Sequence, residues 1–137
     1  MANWLVKSEP KAYAWEQLVK EKRTAWTGVR NAQASNNLKA MKPGDRVFFY
    51  HSVQGLAIVG IAEVAKPYYP DPSDKTGRYG AVDVKPVMPL KTPVTLAQIK
   101  AEPKLATLGL VRQSRLSVMP VEPAQWKLIC KMGGVPG

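Results

Sequence analysis

A chain of 137 residues with 45% apolar content is sized for one domain, residues 1–137, with a real core. Twenty Lys and Arg against ten Asp and Glu leave a formal charge of +10, spread from Lys7 to Lys131, which favours a polyanionic partner met by a face assembled on folding. The lone Cys130 and lone His51 exclude an internal disulfide and a His/Cys metal cluster, and no apolar leader or membrane-length run is present, so a cytoplasmic protein without a membrane partner is expected.

Trp4-Leu5-Val6 reads as an inner strand, ended by Lys7-Ser8-Glu9 and Pro10. Tyr13 to Lys22 reads as a helix with Trp15, Leu18 and Val19 on its buried face. Next comes Trp26-Thr27-Gly28-Val29-Arg30-Asn31, directly after the basic run Lys20-Glu21-Lys22-Arg23. Trp supplies a stacking face, Gly a close backbone approach, Asn a donor and acceptor edge, and Arg a phosphate contact. A flat-ligand pocket and a core tryptophan on a turn both fit those six residues.

Asn31 to Met41 is expected to be a second helix, N-capped by Asn31, with Ala34, Leu38 and Met41 on one face. The turn Lys42-Pro43-Gly44-Asp45 launches a strand from Val47 to Ser52, and Gln54-Gly55 closes a hairpin into Leu56 to Val64. Gly60 inside that strand marks the close approach of another backbone or a ligand. Lys66 to Gly80 reads as one long loop holding Tyr68, Tyr69 and Tyr79, too aromatic for simple disorder. Ala81 to Leu90 reads as a strand, an edge one on account of Pro86 and Pro89.

Thr95 and Gln98 form a capping box for a short helix to Ala101. Leu105, Leu108 and Leu110 make an apolar patch, Leu116 to Met119 a last strand, and Pro123 opens a last helix that buries Trp126, Ile129 and Cys130. The order of elements points to an α+β domain on a curled, largely antiparallel sheet.

No catalytic set emerges. His51 lies at an apolar strand exit with no nucleophile elbow in the chain, Cys130 reads as a core thiol, and no phosphate-loop motif follows any glycine. Glu9, Asp45, Asp71, Asp74 and Asp83 show no spacing diagnostic of acid–base or two-metal chemistry. No metal and no cofactor is therefore expected. Three aromatic clusters remain: Trp26, Tyr50-His51-Ser52 and Tyr68-Tyr69-Pro70-Asp71. Brought together they would clasp a base between rings and read its edge, stacking being worth about 1–3 kcal/mol per base. The alternative for the tyrosines is a loop pinned by its own packing; Trp4, Trp15 and Trp126 read as core.

Five ordered motifs carry a family resemblance: Trp4-Leu5-Val6-Lys7-Ser8-Glu9-Pro10, Trp26 to Asn31, Phe49-Tyr50-His51-Ser52, Tyr69-Pro70-Asp71 and Arg112-Gln113-Ser114-Arg115-Leu116-Ser117-Val118. From Trp4 to about Ile129 the chain resembles the EVE domain family, which includes the thymocyte nuclear protein homologues. The resemblance implies a PUA-like pseudo-barrel of mostly antiparallel strands with peripheral helices, akin to the YTH domain. It implies binding of a modified nucleobase in DNA or RNA, with modified cytosine, 5-methyl or 5-hydroxymethyl, the leading candidate. Trp26 would be one cage wall and Tyr68 or Tyr69 another. Thr27 and Gly28 would offer backbone groups, and Ser8, Asn31, Tyr50, His51 and Ser52 would complete the base site. Lys7, Arg30, Arg112 and Arg115 would meet phosphates, although Arg115 suits equally a salt bridge to Glu9 or Asp71.

A non-catalytic reader so built should lose its preference for modified oligonucleotide in Trp26→Ala while its fold survives. Two rival readings are an enzyme acting on RNA or a nucleotide through Glu9 or His51, and a small-molecule sensor using the same pocket.

Overall fold

The computed structural model describes residues 2–136. Its strands are β1 (Asn3–Ser8), β2 (Thr24–Trp26), β3 (Arg46–His51), β4 (Ala57–Pro70), β5 (Gly80–Thr95) and β6 (Val118–Val121). The helices are α1 (Trp15–Glu21), α2 (Ala32–Ala40), α3 (Leu96–Ala101), α4 (Gly109–Arg112) and α5 (Pro123–Met132), with a 3-10 turn at Pro103–Leu105. One six-stranded sheet runs β2-β5-β4-β3-β1-β6, and only β1 and β3 pair in parallel. The edge strands β2 and β6 do not pair with each other, so the sheet stays open rather than closing into a barrel.

Strand β3 shows why both faces are filled. Successive side chains point to opposite faces, so Phe48 stacks on Trp126 of α5 at 3.8 Å while Phe49 meets Trp15 and Trp26 edge-on, each at 5.5 Å. In a flat sheet β2 and β3 would stand three strand spacings apart, roughly 14 Å. The contact between Trp26 and Phe49 therefore requires strong curling. Bulges supply it: the β4–β5 register slips between Ile58 and Gly60, Ile61 and Ala62, Val64 and Lys66, and Lys66 and Tyr69.

Several expectations hold. Asn31 caps α2 by accepting the Ala34 N–H at 3.0 Å, and Thr95 and Gln98 form their reciprocal box. Trp4, Trp15, Trp126, Ile129 and Cys130 are buried. Burial pushes the Cys130 thiol up to about 11, which leaves it unreactive at neutral pH. What approaches Gly60 is the Trp15 indole, which would lie 2.6 Å from any Cβ placed there, rather than a backbone or a ligand.

Other expectations need correction. Val19 is 46% exposed, since α1 buries only Trp15 and Leu18. The long loop contracts to the stretch from Asp71 to Tyr79, because β4 continues through Tyr68 and Tyr69 to Pro70. Strand β5 lies between β2 and β4 over Val82 to Val84 and is an edge only beyond them, where β2 ends and Pro86 and Pro89 cost no outer hydrogen bond. The last strand begins at Val118 rather than Leu116.

Candidate functional site

Strand β1 ends at Ser8, and the chain turns back on itself at Pro10. The Ala12 and Tyr13 N–H groups both donate to the Glu9 carbonyl, at 3.0 and 2.8 Å. The Ser8 hydroxyl donates to the Tyr13 carbonyl at 2.5 Å, locking the turn shut. Opposite stands β2, held by Val82–Val84 of β5. Between turn and strand lies a cavity of about 360 Å³, lined by Lys7, Ser8, Glu9, Ala12, Tyr13, Thr24, Ala25, Trp26 and Thr27. That volume is at the lower end of ligand sites, suited to a small flat group.

Two aromatic rings shape it. Tyr13 and Trp26 meet edge to face, centroids 6.2 Å apart and planes at 88°. A base stacked on one ring would set its edge against the other, a corner rather than a sandwich. Burial, together with the Glu21 carboxylate that accepts its proton at 2.7 Å, pushes the Tyr13 phenol up to about 12, so this wall stays neutral. Trp26 is itself a core residue, 9% exposed. Both sequence readings of it are therefore present at once: core packing on one side, cavity wall on the other.

The other sequence-predicted residues divide sharply. Ser8, Thr27 and Lys7 line this cavity with Trp26. The Thr27 N–H donates to the Ala25 carbonyl at 3.1 Å and the Gly28 N–H to Asp71 at 2.9 Å, so neither backbone donor is free for a base, and Gly28 does not line the cavity. Asn31 spends its side-chain oxygen on the α2 cap.

Tyr50 and Ser52 line a neighbouring cavity of about 260 Å³ on the far side of Lys7. Tyr68 covers Gly80 and approaches Ser35 at 3.4 Å; Tyr69 donates to Asp83 on the sheet face opposite Trp26. Neither tyrosine lines the cavity, so the expected pairing of Trp26 with Tyr68 or Tyr69 is not assembled. Tyr13 stands in that place.

His51 acts as a structural acceptor. Its Nε2 receives the Trp15 N–H at 3.1 Å and so caps α1, which requires a neutral ring. Burial lowers its pKa below the usual 6.5, with Glu16 pulling weakly the other way. The folded state then binds fewer protons, so this contribution is complete above pH 6.5 and is lost as pH falls through the depressed value. Melting temperature should therefore drop as pH is lowered from 7 towards 5, and His51→Gln should flatten that slope.

Behind the cavity, Asp71 is 2% exposed. It accepts from the Gly28 N–H at 2.9 Å, Arg30 at 3.0 Å, and the Ser73 N–H and hydroxyl at 2.7 and 2.6 Å. Burial alone would raise its pKa, but the bonds from Ser73, Gly28 and Arg30 outweigh it and hold the carboxyl well below its ordinary range. This clamp fixes the Trp26 to Asn31 segment, with Gly28 in the left-handed region at φ 84°. Arg30 is thus tied inward, and Asp71 takes Arg30 rather than Arg115 as its ion-pair partner.

Arg112 and Arg115 are exposed and make no ion pair among the described residues. With Asn31, Gln33 and Ser114 they rim a surface hollow of about 330 Å³. Lys7 joins this rim to the main cavity by donating to the Ser114 carbonyl at 2.7 Å.

The family model described as "EVE domain" matches residues 2–132. The chain belongs to the EVE domain family. Human thymocyte nuclear protein 1 is 30% identical over 165 aligned residues, covering 96% of this chain and 73% of that protein. Its structure in complex with 5-methylcytosine-containing DNA superposes with a TM-score of 0.89 over the whole of both chains. A Rhodopseudomonas palustris protein is 55% identical, with a TM-score of 0.93 over 98% of this chain and 94% of its own. The YTH domain of a Zygosaccharomyces rouxii protein, at 14% identity and a TM-score of 0.62 over 99% of this chain and 88% of that one, shares the fold.

Within this EVE domain the sequence reading missed Ala12, Tyr13, Thr24 and Ala25 and named Glu9 only for the rival enzyme and as an ion-pair partner. Pro10 after Lys7-Ser8-Glu9 was the available signal, because a turn there brings Tyr13 back across β1. No local signal marks β2, whose three residues become a strand only through β5.

Proposed function

We propose that this EVE domain is a non-catalytic reader of a modified nucleobase in DNA or RNA, a modified cytosine first among candidates, and that the base enters the corner between Tyr13 and Trp26. The observation that carries this reading is the base-sized, aromatic-walled cavity on a fold shared along its full length with a human relative bound to DNA containing 5-methylcytosine. A methyl group at the base edge adds apolar contact with the second ring, and stacking on the first repays part of the few kcal/mol needed to extrude the base. The unpaired cations Arg112 and Arg115, with Lys7 at the cavity mouth, are suited to the flanking phosphates. A cytoplasmic setting suits the lone, buried Cys130.

Competition titrations with single-stranded oligonucleotides carrying plain or modified cytosine or adenine at one position test the reading. A preference for one modified base supports it; equal affinity for all contradicts it. The double variant Arg112→Ala with Arg115→Ala should weaken every oligonucleotide alike and reduce the salt slope by about 1.4–1.8. A change confined to the modified strand would remove these arginines from the phosphate track.

A further inference from the structure

A C5 methyl group does not distinguish a methylated cytosine from the commonest methylated pyrimidine, thymine. Both carry the same methyl on the same flat ring. They differ at position 4, where cytosine presents an amino donor and thymine a carbonyl acceptor. A corner of aromatic rings reads shape and methyl alike in the two, so a reader of methylcytosine needs an acceptor aimed at the position-4 group.

The lining holds neutral acceptors, among them the Ser8 hydroxyl oxygen, which gives its proton to the Tyr13 carbonyl, and the Thr24 and Thr27 hydroxyls. An ionised carboxylate accepts about twice as strongly as any of these. Lys7 is a donor and would favour thymine. Glu9 is the single acidic residue of the lining and, as a carboxylate, offers acceptors only. It is exposed, and its side chain makes no ion pair among the described residues. Its backbone is nonetheless fixed, since its carbonyl receives two N–H groups of the turn that also sets Tyr13. In a chain of charge +10, an unpaired carboxylate at the mouth of a site for a polyanion needs a reason.

We infer that Glu9 is the specificity residue of this cavity, accepting a hydrogen bond from the exocyclic amine of a 5-methylated cytosine and rejecting thymine. The inference rests on the base-reading function proposed above. Thymine would set a carbonyl oxygen against the carboxylate, leaving two acceptors facing each other without a proton. Such a mismatch is worth on the order of tenfold or more in affinity.

Anisotropy titrations of the full chain with three otherwise identical single-stranded oligonucleotides, carrying cytosine, 5-methylcytosine or thymine at one position, test this. The wild type should prefer 5-methylcytosine to thymine by about tenfold or more. Glu9→Gln, whose amide both donates and accepts, should bring that ratio to within about twofold while the 5-methylcytosine-to-cytosine ratio stays. Glu9→Ala should lose the same ratio with weaker binding to the methylated strand, and both variants should melt as the wild type does. Retention of the thymine discrimination in Glu9→Gln overturns the inference, as does a wild type that separates 5-methylcytosine from cytosine but not from thymine. Equal wild-type affinity for all three strands instead overturns the base-reading function itself, and the role of Glu9 with it.

Discussion

Trp26→Ala should cost about 3–5 kcal/mol of unfolding free energy, read as a lowered urea midpoint at unchanged slope. The indole is 9% exposed and packs edge-on against both Phe49 and Tyr13, so truncation opens a hole where the curled sheet brings β2 over β3. This revises the expectation drawn from sequence, in which the same substitution left the fold intact. A binding loss in Trp26→Ala therefore mixes two causes. Trp26→Phe, which keeps an aromatic wall and much of the packing, should lose far less stability. If Trp26→Ala melts within a few degrees of the wild type, the residue is a surface wall and the core role assigned to it is wrong.

Asp71→Ala should cost about 3 kcal/mol, the lower end of what breaking a buried pair costs, because Arg30 retains 40% side-chain exposure and is partly screened. The Gly28 N–H and both Ser73 donors lose their acceptor together with Arg30. The pH dependence follows from the sign of the shift. The folded carboxyl titrates below its ordinary 3.8, so its contribution is present in full above that value and is lost as pH falls below it. The stability gap between wild type and Asp71→Ala should thus hold from pH 7 to about 5 and shrink towards pH 2. A gap independent of pH would mean that the ionised carboxylate is not what holds the segment.

These two residues show where sequence reading reached its limit. Asn31 as a cap, the Thr95 and Gln98 box and the buried face of α5 were legible because each is decided within one turn of chain. Trp26 was legible as core or as pocket wall but not as both at once, since its burial depends on Phe49 reached across a curled sheet. Tyr68 and Tyr69 looked like a binding loop because prolines and tyrosines cluster there; pairing with β5 turned the stretch into strand and aimed the rings elsewhere. Asp71 showed no diagnostic spacing, because its partners Gly28 and Arg30 lie more than forty positions away. The ordered motifs themselves were sufficient to place the chain in its family.

The account depends on Tyr13 and Trp26 forming one corner that takes the base. Tyr13 permits the cleaner perturbation, being half-buried where Trp26 is core. The deciding measurement is a competition titration of wild type and Tyr13→Ala with oligonucleotides carrying 5-methylcytosine or cytosine at one position, each protein checked by its melting curve. The account predicts that the wild type prefers the methylated strand and that folded Tyr13→Ala binds both strands alike, roughly tenfold weaker on the methylated one, the loss of one base-stacking contact. An undiminished methyl preference in folded Tyr13→Ala would contradict it and place the base outside this cavity.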